Sequence, residues 1–292
     1  MGNRRWPARR SIKVDHSVDS AGATISYSVE GPATAPVLLF INSIGTTRQL
    51  WSRQVAALAD RYRVIVYDTR GHGRSSVPEG AYTIAQLGAD ALAILDAERV
   101  GAAHVCGISL GGITALWLGV HAPDRVRTLT AANTAARIAS TQFWTERIAF
   151  VKEKGMATLA EVTMLRWFTD AFRARDPQTV EQFRSMLASC APTGYLGCCA
   201  ALRDEDLRES ISAIQRPVLT IGGRVDAATP PEGVEFIHQR IAGSKLVMLD
   251  AAHLTNVEEH QQFTSAVLMF LERHEQSGTS GRSGKSGTSR SD

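Results

Sequence analysis

The 292-residue chain predicts an α/β fold: a mostly parallel eight-stranded sheet flanked by helices, with an all-helical cap inserted. Three observations predict it. From residue 37 onward strand and helix patterns alternate, as crossovers between parallel strands require. The strands there are short continuous apolar runs, the mark of strands buried on both faces. The alternation stops between residues 134 and 213, where only helical periodicity is present, and then resumes.

Taken in order, residues 11–18 and 24–30 alternate and are rich in β-branched types, which predicts two antiparallel edge strands. The apolar run 36–41 is a buried strand ending in the polar loop Asn42–Thr47, and a helix follows over 48–59. Strand 63–68 leads into the glycine-rich turn 69–75. Thr83 can cap a helix to about residue 96, with Ile84, Leu87, Ala91, Leu92 and Leu95 on one face. Strand 104–108, a helix over 113–120 and strand 126–131 complete this part. Helices are expected over 141–154, 156–168, 177–190 and 194–203, separated by Gly155, Asp176-Pro177 and Pro192-Thr193-Gly194. Strand 217–222, helix 232–241, strand 245–249 and helix 257–274 close the pattern. The expected units are a core of 11–133 and 214–275, and a helical cap of 134–213. The basic arm 1–10 and the Ser/Gly-rich tail 276–292 are expected to be disordered.

Composition excludes several function classes. A chain 44% hydrophobic and 21% charged can bury a substantial core, so a wholly disordered or fibrous protein is excluded. The first ten residues carry +4 and residues 276–292 carry +2. Of the net +3, the body between them is therefore left with −3, which argues against nucleic acid as a partner. Cys106, Cys190, Cys198 and Cys199 have no metal-ligand spacing, and a disulfide between the adjacent pair would be strained. Reduced thiols in a cytoplasmic protein are expected. No apolar run approaches the ~18 residues of a membrane span, and the arginine-rich start lacks the apolar stretch of a secretory signal.

The chemistry concentrates at Gly107-Ile108-Ser109-Leu110-Gly111, a G-x-S-x-G pattern between a strand signal and a helix signal. Such a nucleophile elbow pushes a serine hydroxyl out of a strained strand-to-helix turn, with glycines where side chains would collide. The pattern alone is weak, since two glycines and a serine also make an ordinary joint; its placement between strand and helix favours Ser109 as a nucleophile. The Leu110 N–H, at the helix start, is then available to a developing oxyanion.

In this order of elements the chain resembles the α/β-hydrolase fold, in which the triad runs Ser, acid, His along the chain. The resemblance implies Asp226, just past strand 217–222, as the acid and His253, just past strand 245–249, as the base. Asp250 is a competing acid but more simply holds its own loop. Asp68 and His72 belong to a turn that is structural in this superfamily. His104 sits at the wrong end of its strand, and His121, His238, His260 and His274 are expected on helix surfaces. The second oxyanion donor should come from the loop after strand 36–41. Much of the superfamily has His-Gly there, whereas this chain has Asn42-Ser43-Ile44-Gly45, with the Ile44 N–H at the matching position.

Several further stretches narrow the resemblance. They are Asn-Ser-Ile-Gly-Thr (42–46), Tyr-Asp-Thr-Arg-Gly-His-Gly (67–73), Ala-Asn-Thr-Ala-Ala-Arg-Ile (132–138) and Arg-Trp-Phe-Thr (166–169). Gly-Tyr-Leu-Gly-Cys-Cys-Ala-Ala-Leu-Arg-Asp (194–204) and Asp-Ala-Ala-His-Leu-Thr-Asn-Val-Glu (250–258) belong with them. Together they resemble the 3-oxoadipate enol-lactonase family, over about residues 24–272. That resemblance implies a small-molecule lactone bearing a carboxylate, hydrolysed through an acyl-enzyme in aromatic-compound degradation, with no cofactor or metal. Trp144 and Trp167 are candidate pocket walls, although packing between cap helices would explain them as well. Arg137, Arg147 and Arg166 are candidate partners for the carboxylate, with Arg137 favoured. Two alternatives stand beside this reading: another hydrolase activity (esterase, perhydrolase, C–C hydrolase, or a pathway-specific lactonase or cyclase), or a non-catalytic ligand-binding protein on the same scaffold.

Overall fold

The computed structural model of the chain describes residues 16–280. Its strands are β1 (His16–Ser20), β2 (Ala23–Glu30), β3 (Val37–Ile41), β4 (Arg63–Tyr67), β5 (Ala103–Ile108), β6 (Val126–Ala132), β7 (Val218–Gly223) and β8 (Lys245–Leu249). They form one sheet in the order β1-β2-β4-β3-β5-β6-β7-β8. β2 pairs antiparallel with β1 and β4, and all other neighbours are parallel. β3, β5 and β7 are buried along their whole length, as their unbroken apolar runs require. The parallel register brings the carboxyl ends of β3, β5, β6, β7 and β8 to one edge of the sheet, where such folds place their sites.

The helices are α1 (Ser52–Leu58), α2 (Ile84–Ala97), α3 (Leu110–His121), α4 (Thr141–Trp167), α5 (Asp170–Arg175), α6 (Pro177–Ala188), α7 (Pro192–Asp204), α8 (Pro231–Arg240), α9 (Thr255–Glu258) and α10 (His260–Ser280). Thr83 caps α2 in a reciprocal box with Gln86. Between β6 and β7 the chain is helical, with α4 interrupted at Gly155 (φ 77°, ψ 172°), where the sequence predicts a break. α6 and α7 both start at a proline, which leaves a helix N-terminus intact because the missing N–H has no partner there.

Three expectations need correction. A short helix, α5, follows Trp167, where none is predicted; the Thr169 side chain caps it by accepting from the Phe172 N–H. The last helical stretch is two helices, α9 and α10, and α10 continues to Ser280 rather than ending at 274. The tail expected from 276 therefore overlaps α10 up to that point. Its remainder, like the basic arm 1–10 and part of the strand expected at 11–18, lies outside the described residues.

All four cysteines are free and buried. Among the described residues no single helix is long and apolar enough to cross a membrane.

Candidate active site

Ser109 stands between β5 and α3 with φ 60° and ψ −117°, a backbone conformation that a residue with a side chain rarely holds. Its neighbours enforce it. The Ser109 N–H donates to Ala132 O at 2.9 Å, and the Thr134 hydroxyl donates to Ser109 O at 2.9 Å. The turn is tight enough that a Cβ on Gly107 would lie 2.0 Å from Gly111 O, and one on Gly111 would lie 2.1 Å from Ile41 O. Leu110 is the first residue of α3, so its N–H has no acceptor within the helix.

Asp226 stands in the loop after β7, and its carboxylate is surrounded by donors. Oδ1 accepts from the Ala228 N–H (2.8 Å) and the Thr229 N–H (2.9 Å). Oδ2 accepts from Asn133 Nδ2 (2.9 Å), the Thr229 hydroxyl (2.8 Å) and His253 Nδ1 (2.9 Å). Burial opposes ionisation, but His253, Asn133 and Thr229 together hold the carboxyl below its ordinary value. An ionised carboxylate can only accept, so the shared proton is assigned to His253 Nδ1, which leaves Nε2 as a base.

The loop carrying His253 is anchored to the helical segment. The Leu254 N–H donates to Trp167 O at 3.1 Å. Buried Glu258 accepts from the Ala252 N–H at 3.1 Å and from the Thr169 hydroxyl.

Ser109, His253 and Ile44 line one cavity, which α4 covers with Trp144, Trp167, Phe143, Arg147 and Arg166. It is partly open to solvent. The Trp144 indole N–H donates to Ile138 O at 2.6 Å, so the ring is a fixed wall. Arg137 is the arginine that the sequence favours for the carboxylate. Its guanidinium pairs with Asp206 (3.1 Å) and Thr141 (3.1 Å), and it does not line the cavity. Arg147 and Arg166 do line it, 5.1 and 5.3 Å from the centre of the Phe143 ring. Burial and the neighbouring Arg147 hold the Arg166 guanidinium below its ordinary value, against the pull of Asp226. The excess positive charge there suits a carboxylate ligand.

The competing acids and bases stand elsewhere. Asp68 pairs with buried Arg48 at 2.6 Å, Asp250 is exposed beside Arg224, and His104 is buried against Thr128. Sequence reasoning missed Asn133 and Thr229. A signal for Asn133 existed: a polar residue at the carboxyl end of a parallel strand, of a type that tolerates its φ of 43°.

The profile of the alpha/beta hydrolase fold matches residues 36–260. A 3-oxoadipate enol-lactonase of Acinetobacter baylyi is 42% identical over 249 residues, covering 85% of this chain and 93% of the relative. The crystal structure of the enol-lactonase from Burkholderia xenovorans LB400 superposes with a TM-score of 0.86 at 37% identity, covering 88% of this chain and all of that one. A hydrolase from Pseudomonas aeruginosa superposes with a TM-score of 0.84 at 46% identity, covering 87% and 96%.

Proposed function

The chain belongs to the α/β-hydrolase family, and from that premise we propose that it hydrolyses a lactone bearing a carboxylate, with 3-oxoadipate enol-lactone as the substrate and aromatic-compound degradation as the setting. The observation that carries this reading is the pair Arg147 and Arg166 lining the same cavity as Ser109 and His253. The enol-lactonase relatives supply the lactone.

In this reading His253 Nε2 takes the proton of Ser109 as the hydroxyl attacks the lactone carbonyl. The oxyanion is received by the N–H groups of Ile44 and Leu110. Collapse breaks the ring C–O bond and expels an enolate, a better leaving group than an alkoxide, and the imidazolium protonates it. The enol becomes a ketone. His253 then activates water against the acyl-enzyme, while Asp226 stabilises the imidazolium in both steps. Trp144 and Trp167 wall the cavity, and the helices α4–α7 act as its cap.

The test is turnover of the enol-lactone by purified protein and by Ser109→Ala. Ring opening by the wild type alone is expected. Absence of turnover by the wild type would refute the substrate, and equal turnover by both would refute the nucleophile.

A further inference from the structure

His72 is a buried imidazole that the reaction above does not use, and it touches the loop on which the oxyanion reading depends. The Gly45 N–H donates to His72 Nε2 at 2.9 Å, and His72 Nδ1 lies 3.1 Å from Arg70 O. A carbonyl can only accept and an N–H can only donate, so the two contacts require the Nδ1–H tautomer with a bare Nε2. Burial, acting against the Arg70 carbonyl and Asp68, holds the imidazole below its ordinary value, which keeps it in the neutral form that can accept.

Gly45 is the third residue of the turn Ser43–Thr46, closed by the Thr46 N–H to Ser43 O at 3.3 Å. Its φ of +75° makes this a type II turn, in which the central Ile44–Gly45 peptide is flipped relative to the commoner type I. The flip decides where the Gly45 N–H points, and His72 is its acceptor. Ile44 is the second residue of the same turn and lines the cavity. The backbone that carries the imidazole is itself tied down: the His72 backbone N–H donates to Thr69 O at 2.9 Å, and the Ser75 N–H donates to His72 O at 3.1 Å.

We propose that His72 is a positioning residue, whose bare Nε2 locks the Ser43–Thr46 turn in the form that presents the Ile44 N–H to the oxyanion. This rests on the reading of Ile44 as an oxyanion donor. Full loss of one such donor costs about 10²–10³ in kcat. Loosening the turn should cost less, because the donor remains present part of the time.

The experiment compares His72→Gln with His72→Met. The two side chains have similar length, but only Gln carries an acceptor near the Nε2 position. With p-nitrophenyl acetate, and active sites counted by a fluorophosphonate, Met is expected to lower kcat about 10-fold with KM within about 2-fold. Gln is expected to restore kcat to within about 3-fold of wild type. The affinity for phenylboronic acid, which mimics the tetrahedral intermediate, should fall with Met in the same ratio as kcat. Equal kcat for Met and wild type, per active site, would overturn the proposal, as would equal losses in Gln and Met.

Should either variant fail to fold, ¹⁵N spectra of histidine-labelled wild type decide. A protonated Nδ1 and bare Nε2 on His72 support the proposal, and the opposite tautomer overturns it. Ser109→Ala serves as the companion control. Turnover abolished there, with Met behaving as wild type, removes only the role of His72. Turnover retained there removes the hydrolase reading itself.

Discussion

Asn133 Nδ2 lies 2.9 Å from Asp226 Oδ2, while Asn133 Oδ1 accepts the Thr255 hydroxyl at 2.5 Å. The same amide nitrogen is 3.2 Å from Ala252 O, next to His253. One side chain at the end of β6 thus ties the loop carrying the acid to the loop carrying the base. Replacing Asn133 by Ala should lower kcat about 10-fold and leave KM nearly unchanged, because orientation is lost and the binding walls are not. Asn133→Asp should be worse. A second carboxylate beside Asp226 disfavours ionisation of both, and it also favours the charged imidazolium of His253. Both effects move the acidic limb of the kcat/KM profile to higher pH. A limb that stays in place would show that Asn133 is only packing.

Arg147 and Arg166 should act on substrates according to charge. A charge-assisted hydrogen bond contributes about 1.5–3 kcal/mol, so Arg147→Met should raise KM for a carboxylate-bearing lactone roughly 10- to 100-fold. A neutral ester such as p-nitrophenyl acetate should lose far less. Arg137→Met, outside the cavity and paired with Asp206, should leave both substrates within about 2-fold. Steady-state kinetics on both substrates checks this. An Arg137 variant that alone raised KM would restore the residue the sequence favours.

The contrast between these arginines shows where sequence reasoning stops. The sheet was legible because β3, β5 and β7 are unbroken apolar runs, and burial on both faces leaves no other composition open. Ser109, Asp226 and His253 could be singled out as candidates because each follows a strand, and a parallel sheet gathers strand ends at one edge. Arg137, Arg147 and Arg166 share no such constraint. Arg137 lies in the loop before α4, whereas Arg147 and Arg166 sit on its two halves, and which of them faces the cavity depends on how these segments pack, a tertiary fact. α5 escaped for a related reason: seven residues, 169–175, are too few for helical periodicity to register, and the cap at Thr169 is what makes them helical.

The elbow predicts a contrast between two glycines. Gly107→Ala would place a Cβ 2.0 Å from the Gly111 carbonyl oxygen, where the obstacle is backbone and cannot rotate away. The chain must shift there, and the expected cost is about 3 kcal/mol or more, together with loss of turnover as Ser109 moves. Gly101→Ala has nothing within 4 Å of the new methyl group and should fall within about 0.5 kcal/mol of wild type. Urea unfolding midpoints of the two variants test this. Similar midpoints would mean that the turn relaxes freely, contrary to the packing around Ser109.

Acid should destabilise the fold well above the carboxylate range. His104 is 2% exposed and bonded to Thr128, and burial, with Arg127 and His274, pushes its imidazole down to about 4. Glu275 Oε1 lies 3.4 Å from His104 Nε2, and an ion pair there would act in the opposite sense. Burial also raises the Glu275 carboxyl, so the protein favours a neutral histidine. Unfolded, His104 returns to its ordinary value of about 6.5. Between those values the unfolded chain binds a proton that the folded chain refuses. Stability is therefore complete above pH ~6.5 and is lost as pH falls toward 4, by on the order of 3 kcal/mol at the lower end. His260, also pushed down to about 4 by burial, Arg53 and Arg175, acts in the same direction but more weakly because it is partly exposed. Denaturant unfolding at pH 7, 5.5 and 4.5 should show the decline, and His104→Gln should flatten it. If wild type and His104→Gln lose stability in parallel over that range, the proton is taken up elsewhere and His104 is not its site.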